Sequence, residues 1–536
     1  MVVLILTSIF TGFRIASDSN YDSFYTLLDY FLPQGSVFYW HIVSGLILTC
    51  VLLAYIFYQF KTGLNKRFSL LQIKSRQNKW LKTSNIICHW LMFLMFIGLL
   101  TTGLSLYFSI NFISVFTLEK LHRVCVWALI ILVFFHILFQ WLAGRWKKIL
   151  GLLFARPKYL MTGSFALLIA ILCGILFYSN PLFIKKTLIV HHVQQAPKID
   201  GIPDDDVWQK IQPIAIKTFH GANFIDTAVQ VNIRALQHDG IAYFLFEWND
   251  TTRSQKHLPL IKTEQGWKVL QTDLQHASED NYYEDKFAVM LAAGNPWAAS
   301  HSIHLGKQPS PHIPASASGR GLHYTTDGSL FDLWHWKSVR TNAVAQADDN
   351  FISSPKTGKH QTQAYIERMA SGAYPLKNRY LGGLKKDPPM TWSSFDMNWE
   401  TFSDEYVLPR RLPTDSDHIK YAAQESLHTN VSDTGNWWME YNDTIPYRAE
   451  LDDYAIGTII PGVIIKDPAK GDRGNVSAYG TWKDGRWRLE MKRKLITHSK
   501  YDQSITNNTF LWVAVFDHTQ TRHSYHLRPV SISLTY

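Results

Sequence analysis

The chain has few cysteines, and none of them lies in its polar part. Its 536 residues include four, Cys50, Cys88, Cys125 and Cys173, and each stands in an apolar segment of the first third of the sequence. A disulfide, a thiolate zinc site and the CxxCH attachment of a c-type haem all require cysteine. All three features are therefore excluded from the polar remainder of the chain.

Several catalytic motifs are missing as well. The sequence has no GxSxG elbow, no Walker A loop and no HExxH, and no GxGxxG stands between a predicted strand and a predicted helix. The apolar N-terminus has neither the basic region nor the cleavage site of a signal peptide. The acidic runs 204–206 and 348–349 could bind calcium, but we predict that they are solvated turn residues. No reaction on an organic substrate can be assigned, so whether the chain is an enzyme stays open.

Hydropathy divides the chain into two parts. Residues 1–180 are dense in Leu, Ile, Phe and Val, whereas residues 185–536 are polar and rich in Trp, Tyr, Asp and Gly. The formal net charge is +10, but much of the basic excess stands in short loops between apolar segments, where it orients membrane helices. We therefore predict membrane lipid as a partner and no nucleic acid.

Five apolar segments are candidates for membrane helices. They cover about residues 2–16, 37–59, 84–108, 118–142 and 159–179. The loops after the second and the fourth are rich in Lys and Arg, and short basic loops stay in the cytoplasm. We predict a multi-pass protein of the bacterial inner membrane, with a transmembrane domain at 1–180, a linker at 181–195 and a periplasmic domain at 196–536.

The fourth segment carries two histidines, and an ionisable residue in a membrane helix indicates a functional site. His122 and His136 are fourteen residues apart, which places both rings on nearly the same side of a helix, roughly 21 Å apart along its axis. In the predicted orientation, His41 and His122 lie at the same depth near the outer face of the membrane (the outer pair). His89 and His136 lie at the same depth near the cytoplasmic face (the inner pair). Each pair could hold one haem iron with no axial position left open, which suits electron transfer. The alternative is that the rings bond to neighbouring carbonyl groups.

These segments resemble the bacterial dihaem cytochrome b group, which includes b561-type cytochromes and the cytochrome b subunits of formate dehydrogenase and nickel–iron hydrogenase. The resemblance rests on the two histidines fourteen apart, on an HW…TG segment that begins at His89, and on the H-x-x-x-G of His41 and Gly45. It implies two b-type haems in the membrane domain. The family takes its remaining ligand from the first helix, where this chain has no histidine. Either the true start lies upstream or His89 has taken that role.

The first four segments look like two copies of one hairpin. Thr11-Gly12 in the first segment corresponds to Thr102-Gly103 in the third. In the same alignment, His41 of the second segment corresponds to His122 of the fourth. His89 precedes Gly103 by fourteen residues, so its counterpart in the first segment would fall just before Met1.

The polar part has the pattern of strands. Residues 229–235 alternate between apolar and polar, 242–248 and 286–291 are short apolar runs, and Asp484-Gly485 is typical of a hairpin turn. The sequence of this part predicts no long amphipathic helix. We predict an all-β sandwich for the C-terminal part and an all-α helical bundle for the N-terminal part.

Most of residues 190–530 resembles the haem-binding domain of the γ subunit of ethylbenzene dehydrogenase and its relatives. The resemblance rests on six stretches in the expected order, namely 196–208, 231–250, 281–290, 319–328, 332–340 and 482–495. It implies a β-sandwich with one b-type haem that is held by a methionine and a lysine. Met290 is the candidate methionine, although core packing is an equal alternative. Lys337 and Lys483 are candidate lysines.

Relatives often carry a cysteine before the GLHYT phrase, but residues 297–307 contain none. Covalent attachment is therefore excluded, and a haem in this domain would be b-type. His304 is a further candidate axial ligand. His301, His323 and His335 are also candidates.

We expect a membrane cytochrome b that transfers electrons between a membrane quinone and a periplasmic redox protein or reductase. Two alternatives stay open. One is a terminal reductase with an exposed haem edge. The other is a tethered carbohydrate-binding module, whose sugars would stack on an aromatic surface formed by Trp297, Trp334, Trp336, Trp437 and Trp438.

Overall fold

The computed structural model describes most of the chain. The described residues are 2–19, 32–33, 37–63, 80–108, 110, 113–142, 159–178, 183–221, 223–270, 282–301, 303–304, 323–324, 329–352, 394–401, 406–421, 437–519 and 523–535. Two compact units are present, a helical unit of residues 1–25 and 37–183 and a β unit of residues 26–36 and 184–536. The basic loops that oriented the membrane helices in the sequence analysis lie outside the described residues.

The helical unit contains the five predicted helices. They are α1 (Val2–Ser19), α2 (Val37–Thr62), α3 (Trp80–Phe108), α4 (Val115–Leu142) and α5 (Tyr159–Tyr178). Among the described residues, three stretches are long and apolar enough to cross a membrane, Val37–Lys61, Thr83–Phe108 and Thr117–Phe139. Two shorter apolar helices, Val3–Ala16 and Ser164–Ile175, accompany them. The chain is therefore a membrane-spanning protein.

The helix ends follow from local chemistry. The Ser114 hydroxyl accepts a hydrogen bond from the Thr117 amide at 3.2 Å and so caps the first turn of α4. Gly63 has a φ of +67°, which glycine adopts without strain, and it terminates α2. Large apolar side chains such as Leu94, Val124 and Phe134 are exposed on the helices, as expected for surfaces that face lipid.

Within its described residues, the β unit contains 24 strands and short helices. The strands are β1 (Lys186–His192), β2 (Ile214–Phe219), β3 (Ala228–His238), β4 (Ile241–Asn249), β5 (Leu260–Thr263), β6 (Gly266–Val269), β7 (Lys286–Ala293), β8 (Ile303–His304), β9 (His323–Tyr324), β10 (Phe331–Lys337), β11 (Gln346–Ile352), β12 (Phe395–Met397), β13 (Trp399–Thr401), β14 (Val407–Pro409), β15 (Arg411–Pro413), β16 (Lys420–Tyr421), β17 (Met439–Glu440), β18 (Thr444–Pro446), β19 (Thr458–Ile460), β20 (Val463–Ile465), β21 (Val476–Lys483), β22 (Arg486–Lys494), β23 (Thr509–Phe516) and β24 (Val530–Leu534). The short helices are α6 (Asp206–Gln209) and α7 (Ala298–His301). The all-β prediction for this part is confirmed.

Eleven of the strands form one sheet that closes on itself. Its order is β1-β24-β23-β7-β10-β11-β21-β22-β4-β3-β2, and β1 also pairs with β3. Both pairings of β1 are parallel, with Lys186 opposite Val530 and Val190 opposite Ala235. The pairing of β1 with β3 closes the sheet, and β2, which pairs with β3, remains as an edge strand. The predicted turn at Asp484-Gly485 joins β21 to β22, and both residues have positive φ, as a type I′ hairpin requires.

The segment 181–195, predicted as a linker, contains strand β1. The sheet therefore begins before the predicted domain boundary at residue 196. Charged and histidine residues flank the short apolar run of β1, and its two strand partners come from distant parts of the chain. The local sequence pattern of such a segment does not by itself predict a strand.

The main core lies against the closed sheet. Side chains that alternate along the strands place Phe244, Phe246, Phe287, Trp334 and Trp336 in this core. Gly480 in β21 provides space for it, because a Cβ at this position would lie 2.5 Å from Cζ2 of Trp336. A second apolar cluster, which includes Leu260, Val407 and Ile460, packs beside the six-stranded sheet β13-β14-β6-β5-β19-β16.

One buried histidine should make the β unit sensitive to acid. Nε2 of His526 accepts the Val513 amide at 3.0 Å, and Nδ1 donates to the Arg528 carbonyl oxygen at 2.7 Å, so the ring is neutral. Burial, aided by the charge of Lys185, lowers the pKa of His526 to about 3. The unfolded chain binds this proton below its ordinary pKa of about 6.5, so stability is lost as the pH falls from there.

We expect His526 to cost the folded state about 2 kcal/mol at pH 5 relative to neutral pH. The measurement is denaturant unfolding of the full chain at pH 7.5 and pH 5, compared with the His526→Gln variant. The variant should be less stable at pH 7.5 and should lose less stability on acidification. Equal losses in both proteins would contradict the assignment.

Candidate functional site

The structure brings His41 of α2 and His122 of α4 together. Their ring centres are 6.4 Å apart, and the ring planes are inclined by 79°. Two imidazoles that bind one metal through bonds of about 2 Å place their ring centres roughly 6 Å apart. The observed spacing therefore fits one metal ion between the rings.

Each ring of the outer pair meets the preceding helix in the same way. Nδ1 of His41 lies 3.1 Å from the Thr11 hydroxyl and 3.1 Å from the Ser8 carbonyl oxygen. Nδ1 of His122 lies 2.8 Å from the Thr102 hydroxyl. A hydrogen bond at one ring nitrogen orients the ring and directs the other nitrogen to a metal.

The adjacent glycines allow these contacts. A Cβ on Gly12 would lie 3.1 Å from Cε1 of His41, and one on Gly103 would lie 3.4 Å from Cε1 of His122. The Thr-Gly pairs of α1 and α3 thus contact the rings of α2 and α4 at corresponding positions of the hairpin repeat. No atom among the described residues lies within 4 Å of a Cβ placed on Gly45, one turn after His41. A macrocycle beside the ring would need such open space.

The two histidines of the inner pair stand on helices that pack against each other, His89 on α3 and His136 on α4. Nδ1 of His136 is buried, and no hydrogen-bond partner reaches it within the described part of the chain. Because an unpaired polar atom in an apolar bundle is costly, a ligand for His136 fits this position.

Two polar features of α1 are absent from the sequence predictions. Arg14 is only 2% exposed although it lies in an apolar helix, and the Ser8 hydroxyl lies 2.8 Å from that of Ser44 in α2. The signal for Arg14 was present, because a buried ionisable residue in a membrane segment indicates function. The Ser8–Ser44 contact could not be foreseen, since it depends on how the two helices pack.

The glycine contacts allow a direct test of the outer pair. Replacing Gly12 with valine should displace the His41 ring, because the Cβ alone already makes a tight contact with it. We expect the variant to lose most of one haem per chain, as measured by pyridine haemochrome on purified protein. Gly174→Val in α5 is the control, since no described atom lies within 4 Å of its Cβ position. Full haem content in the Gly12 variant would argue against His41 as a ligand.

Met290 lies on the side of the closed sheet opposite the main core. Its neighbours Val289 and Leu291 point into that core, so the side chain of Met290 points away from it. It pairs with Leu333 on one side and Trp512 on the other. It belongs to a small apolar cluster with Ala292, Ala298, Phe331, Ile352 and Trp512.

The two candidate lysines have different environments. Lys337 is buried and its amine forms an ion pair with Asp348, which also pairs with Arg473 at 2.7 Å. A lysine must be neutral to bind a metal, so this ion pair disfavours Lys337 as a haem ligand. Lys483 is exposed at the end of β21, beside the hairpin turn.

Of the candidate histidines, His335 alone has a described side chain. It lies on β10 opposite Ala288, so it shares its face of the sheet with Met290. Nε2 of His335 is buried, and no hydrogen-bond partner for it is found among the described residues. Burial, with the charge of Lys337, lowers the pKa of His335 well below its ordinary value. His304 and His323 pair across β8 and β9, but their side chains and that of His301 lie outside the described residues.

Two predictions about the polar part are wrong. Asp348 and Asp349 are not solvated turn residues, since both are buried in β11. The proposed aromatic surface does not exist in that form, because Trp334 and Trp336 are fully buried and Trp437 is 3% exposed. Strand alternation turns Trp334 and Trp336 into the protein, and a sugar cannot stack on any of these three buried side chains.

Known families match both parts of the chain. Residues 205–528 match the family described as ethylbenzene dehydrogenase, and residues 1–154 match the prokaryotic cytochrome b561 family. No curated protein matches the chain. One solved structure that matches is that of a candidate carbohydrate-binding protein from Bacteroides uniformis, at 7% identity and a TM-score of 0.24 over 65% of this chain and 99% of that one. A likeness at this level carries no argument about fold or function.

Both expected resemblances are thus confirmed in the expected order. Cytochrome b561 proteins bind b-type haems in the membrane, and the histidines of the helical unit have neighbours that suit this cofactor. The chain belongs to the ethylbenzene dehydrogenase family and joins that domain to an N-terminal membrane b-type cytochrome of the prokaryotic cytochrome b561 family, which transfers electrons.

Proposed function

We propose that this protein transfers electrons between a membrane quinone and a redox partner outside the cytoplasm. The observation that carries the proposal is the outer pair, in which two imidazoles from neighbouring membrane helices lie 6.4 Å apart. In this proposal His41 and His122 hold one b-type haem, and His89 and His136 hold a second. A haem with two imidazole ligands supplies one-electron transfer, because it leaves no axial position for oxygen.

The residues of the helical unit would position the cofactors and set their properties. Hydrogen bonds from Nδ1 of the outer histidines to Thr11 and Thr102 would fix the ring orientation and strengthen the rings as ligands. Gly12 and Gly103 would allow the helices to approach the rings closely. The apolar surroundings would exclude water from the site.

We place the β unit in the periplasm on the basis of the charged loops, because the most basic loops should stay in the cytoplasm. Under this topology the helix α5 carries the chain outward. The β unit would then meet a soluble redox protein or a reductase. A terminal reductase remains the second candidate.

We also propose a b-type haem on the face of the β unit that carries Met290. The apolar cluster around Met290 offers a thioether, small alanines and large aromatic side chains in one place. His335 on the same face has a buried ring nitrogen that needs a partner, which makes it a stronger candidate for the second ligand than Lys337. His304 also stays a candidate.

The test is reduction of the full-length protein by a quinol. The purified chain in lipid nanodiscs is mixed with a short-chain menaquinol or ubiquinol analogue, and the α band of the reduced b haems is followed. We expect rapid reduction in the wild type and at least about a tenfold slower rate in His122→Ala. A wild-type protein that contains haem but is not reduced by either quinol would rule out the quinone step.

A second measurement addresses the β unit. Met290→Leu keeps the volume of the side chain and removes the sulfur. If the β unit holds a haem through Met290, this variant should lose or alter one haem signal and keep both membrane haems. An unchanged spectrum would rule out Met290 as a ligand.

A further inference from the structure

Three aspartates meet inside the β unit. They are Asp332 in β10, Asp349 in β11 and Asp502 in the segment between β22 and β23. One carboxylate oxygen from each lies within 4.8 Å of the others. Asp349 lies opposite Trp334 in the β10–β11 register, and Asp332 is two residues from Trp334 on the same face.

The charges of this cluster do not balance. Asp332 and Asp349 are both 0% exposed, and the side chain of Asp502 is 2% exposed. Among the described residues, the cation beside them is Arg493, which forms an ion pair with Asp332 and lies 3.7 Å from Asp502. When all three carboxylates are ionised, they and this guanidinium carry a net charge of −2. Buried charge without compensation is strongly unfavourable.

The carboxylate oxygens also lack donors. Both oxygens of Asp349 are buried without a hydrogen-bond partner in the described part of the chain, and so are Oδ1 of Asp332 and Oδ1 of Asp502. Burial and the neighbouring carboxylates raise the pKa of Asp349 well above its ordinary value. Four such oxygens in one buried cluster need compensating positive charge, which a cation or bound protons can supply.

A second acidic cluster in the β unit differs in this respect. Asp285 lies near Asp517 and His518, but its oxygens accept hydrogen bonds from the Ser254 amide, the Trp487 indole and the His518 amide. That cluster is a connected hydrogen-bond network. Only the cluster around Asp349 combines excess negative charge with several unpartnered oxygens among the described residues.

We propose that Asp332, Asp349 and Asp502 bind one divalent cation, and that the cation is Ca²⁺. A charge of +2 brings the sum over the cluster to zero. Oxygens that surround Ca²⁺ at about 2.4 Å lie up to about 4.8 Å from one another, which matches the cluster. The ligands are all oxygens, which disfavours Zn²⁺, and the burial disfavours Mg²⁺, which usually retains several waters.

The ion would tie the segment after β22 to two neighbouring strands. The amide of Gln503 donates to Asp332 at 2.9 Å, so this segment already lies against β10. Phe331 and Ile352, at the ends of β10 and β11, belong to the apolar cluster of Met290. The cation would thus fix the strands that present Met290.

Terbium luminescence offers a direct test. The full-length protein in detergent is stripped with EDTA and titrated with Tb³⁺ under tryptophan excitation, since Trp334 lies beside the site. We expect saturable luminescence at one Tb³⁺ per chain that Ca²⁺ displaces. Asp349→Asn should weaken binding more than about a hundredfold, because even changes behind a ligand cost about ten- to a hundredfold. Asp204→Asn, in an exposed acidic turn, should have no effect.

Two further measurements keep the result decisive if Asp349→Asn does not fold. Trp334→Phe should lower the luminescence and keep the rise in unfolding temperature that Ca²⁺ causes. Elemental analysis of the wild type should find one calcium per chain that EDTA removes. A wild type with no retained calcium and no saturable Tb³⁺ site would overturn the proposal and leave protons as the compensating charge. Preference for Mg²⁺ over Ca²⁺ would overturn the choice of ion.

Discussion

Replacing His122 with alanine is expected to remove one of the two proposed membrane haems, and replacing His41 is expected to remove the same one. The centres of the two rings are 6.4 Å apart. Loss of either ring leaves a single ligand in an apolar bundle, which is too little to retain a b-type haem without covalent attachment. The measurement is the ratio of haem to protein by pyridine haemochrome.

Double variants distinguish pairing from independent roles. His41→Ala with His122→Ala should lose no more haem than either single variant, because both changes affect one site. His122→Ala with His136→Ala should lose both membrane haems. Thr102→Val is the matched control, since it removes the hydroxyl 2.8 Å from Nδ1 of His122 and keeps the ring. It should retain the haem and shift its midpoint potential.

These results can contradict the assignment in two ways. Full haem content in the His41 or His122 variants would exclude bis-imidazole binding at the outer pair. Additive losses in the His41–His122 double variant would show that the two rings serve different cofactors. In both cases the membrane b-type cytochrome would need another ligand set.

Removing the carboxylate of Glu284 is expected to unfold much of the β unit. Glu284 is 0% exposed and forms an ion pair with the guanidinium of Arg340. Its other oxygen accepts the amides of Val339 and Arg340 at 2.7 and 3.0 Å. In Glu284→Ala the guanidinium and both amides lose their partner, which costs about 3–5 kcal/mol when a buried ion pair is broken. Denaturant unfolding of the full chain, followed by tryptophan fluorescence, measures this loss.

A matched surface pair provides the control. Arg410 and Glu400 also form a Glu–Arg ion pair, at 3.5 Å, but their side chains are 45% and 67% exposed. Exposed pairs contribute less than about 1 kcal/mol, so Glu400→Ala should leave the unfolding curve nearly unchanged. A similar effect of both changes would mean that burial does not govern the strength of these ion pairs.

Part of the site could be predicted because its signals are local or periodic. The spacing of His122 and His136 places both rings on one side of a helix, and the Thr-Gly pairs repeat at corresponding positions of α1 and α3. The repeat did not predict the contacts themselves, in which Thr11 lies beside His41 and Thr102 lies beside His122. The hairpin at Asp484-Gly485 was also predicted, since few residue pairs adopt two successive positive φ angles.

The errors in the polar part share one cause. Asp is rare in strands, so Asp348-Asp349 was assigned to a turn. In β11 these neighbours point to opposite faces, where Asp348 meets Lys337 and Arg473 and Asp349 meets the cluster of Asp332. Trp334 and Trp336 point to one face for the same reason, and that face is the core. Whether a strand face is buried depends on what covers it.

The sequence by itself determined the division into apolar helices and strands, because hydropathy and periodicity are properties of each segment. It also determined which histidines are available to the membrane part. The tertiary structure alone decided the closure of the sheet through β1, which joins Lys186 to Val530 across more than 300 residues of chain. It also decided the burial of Asp332, Asp349 and Asp502 around one point. Contacts between distant residues leave no local pattern, since they depend on the packing of many segments at once.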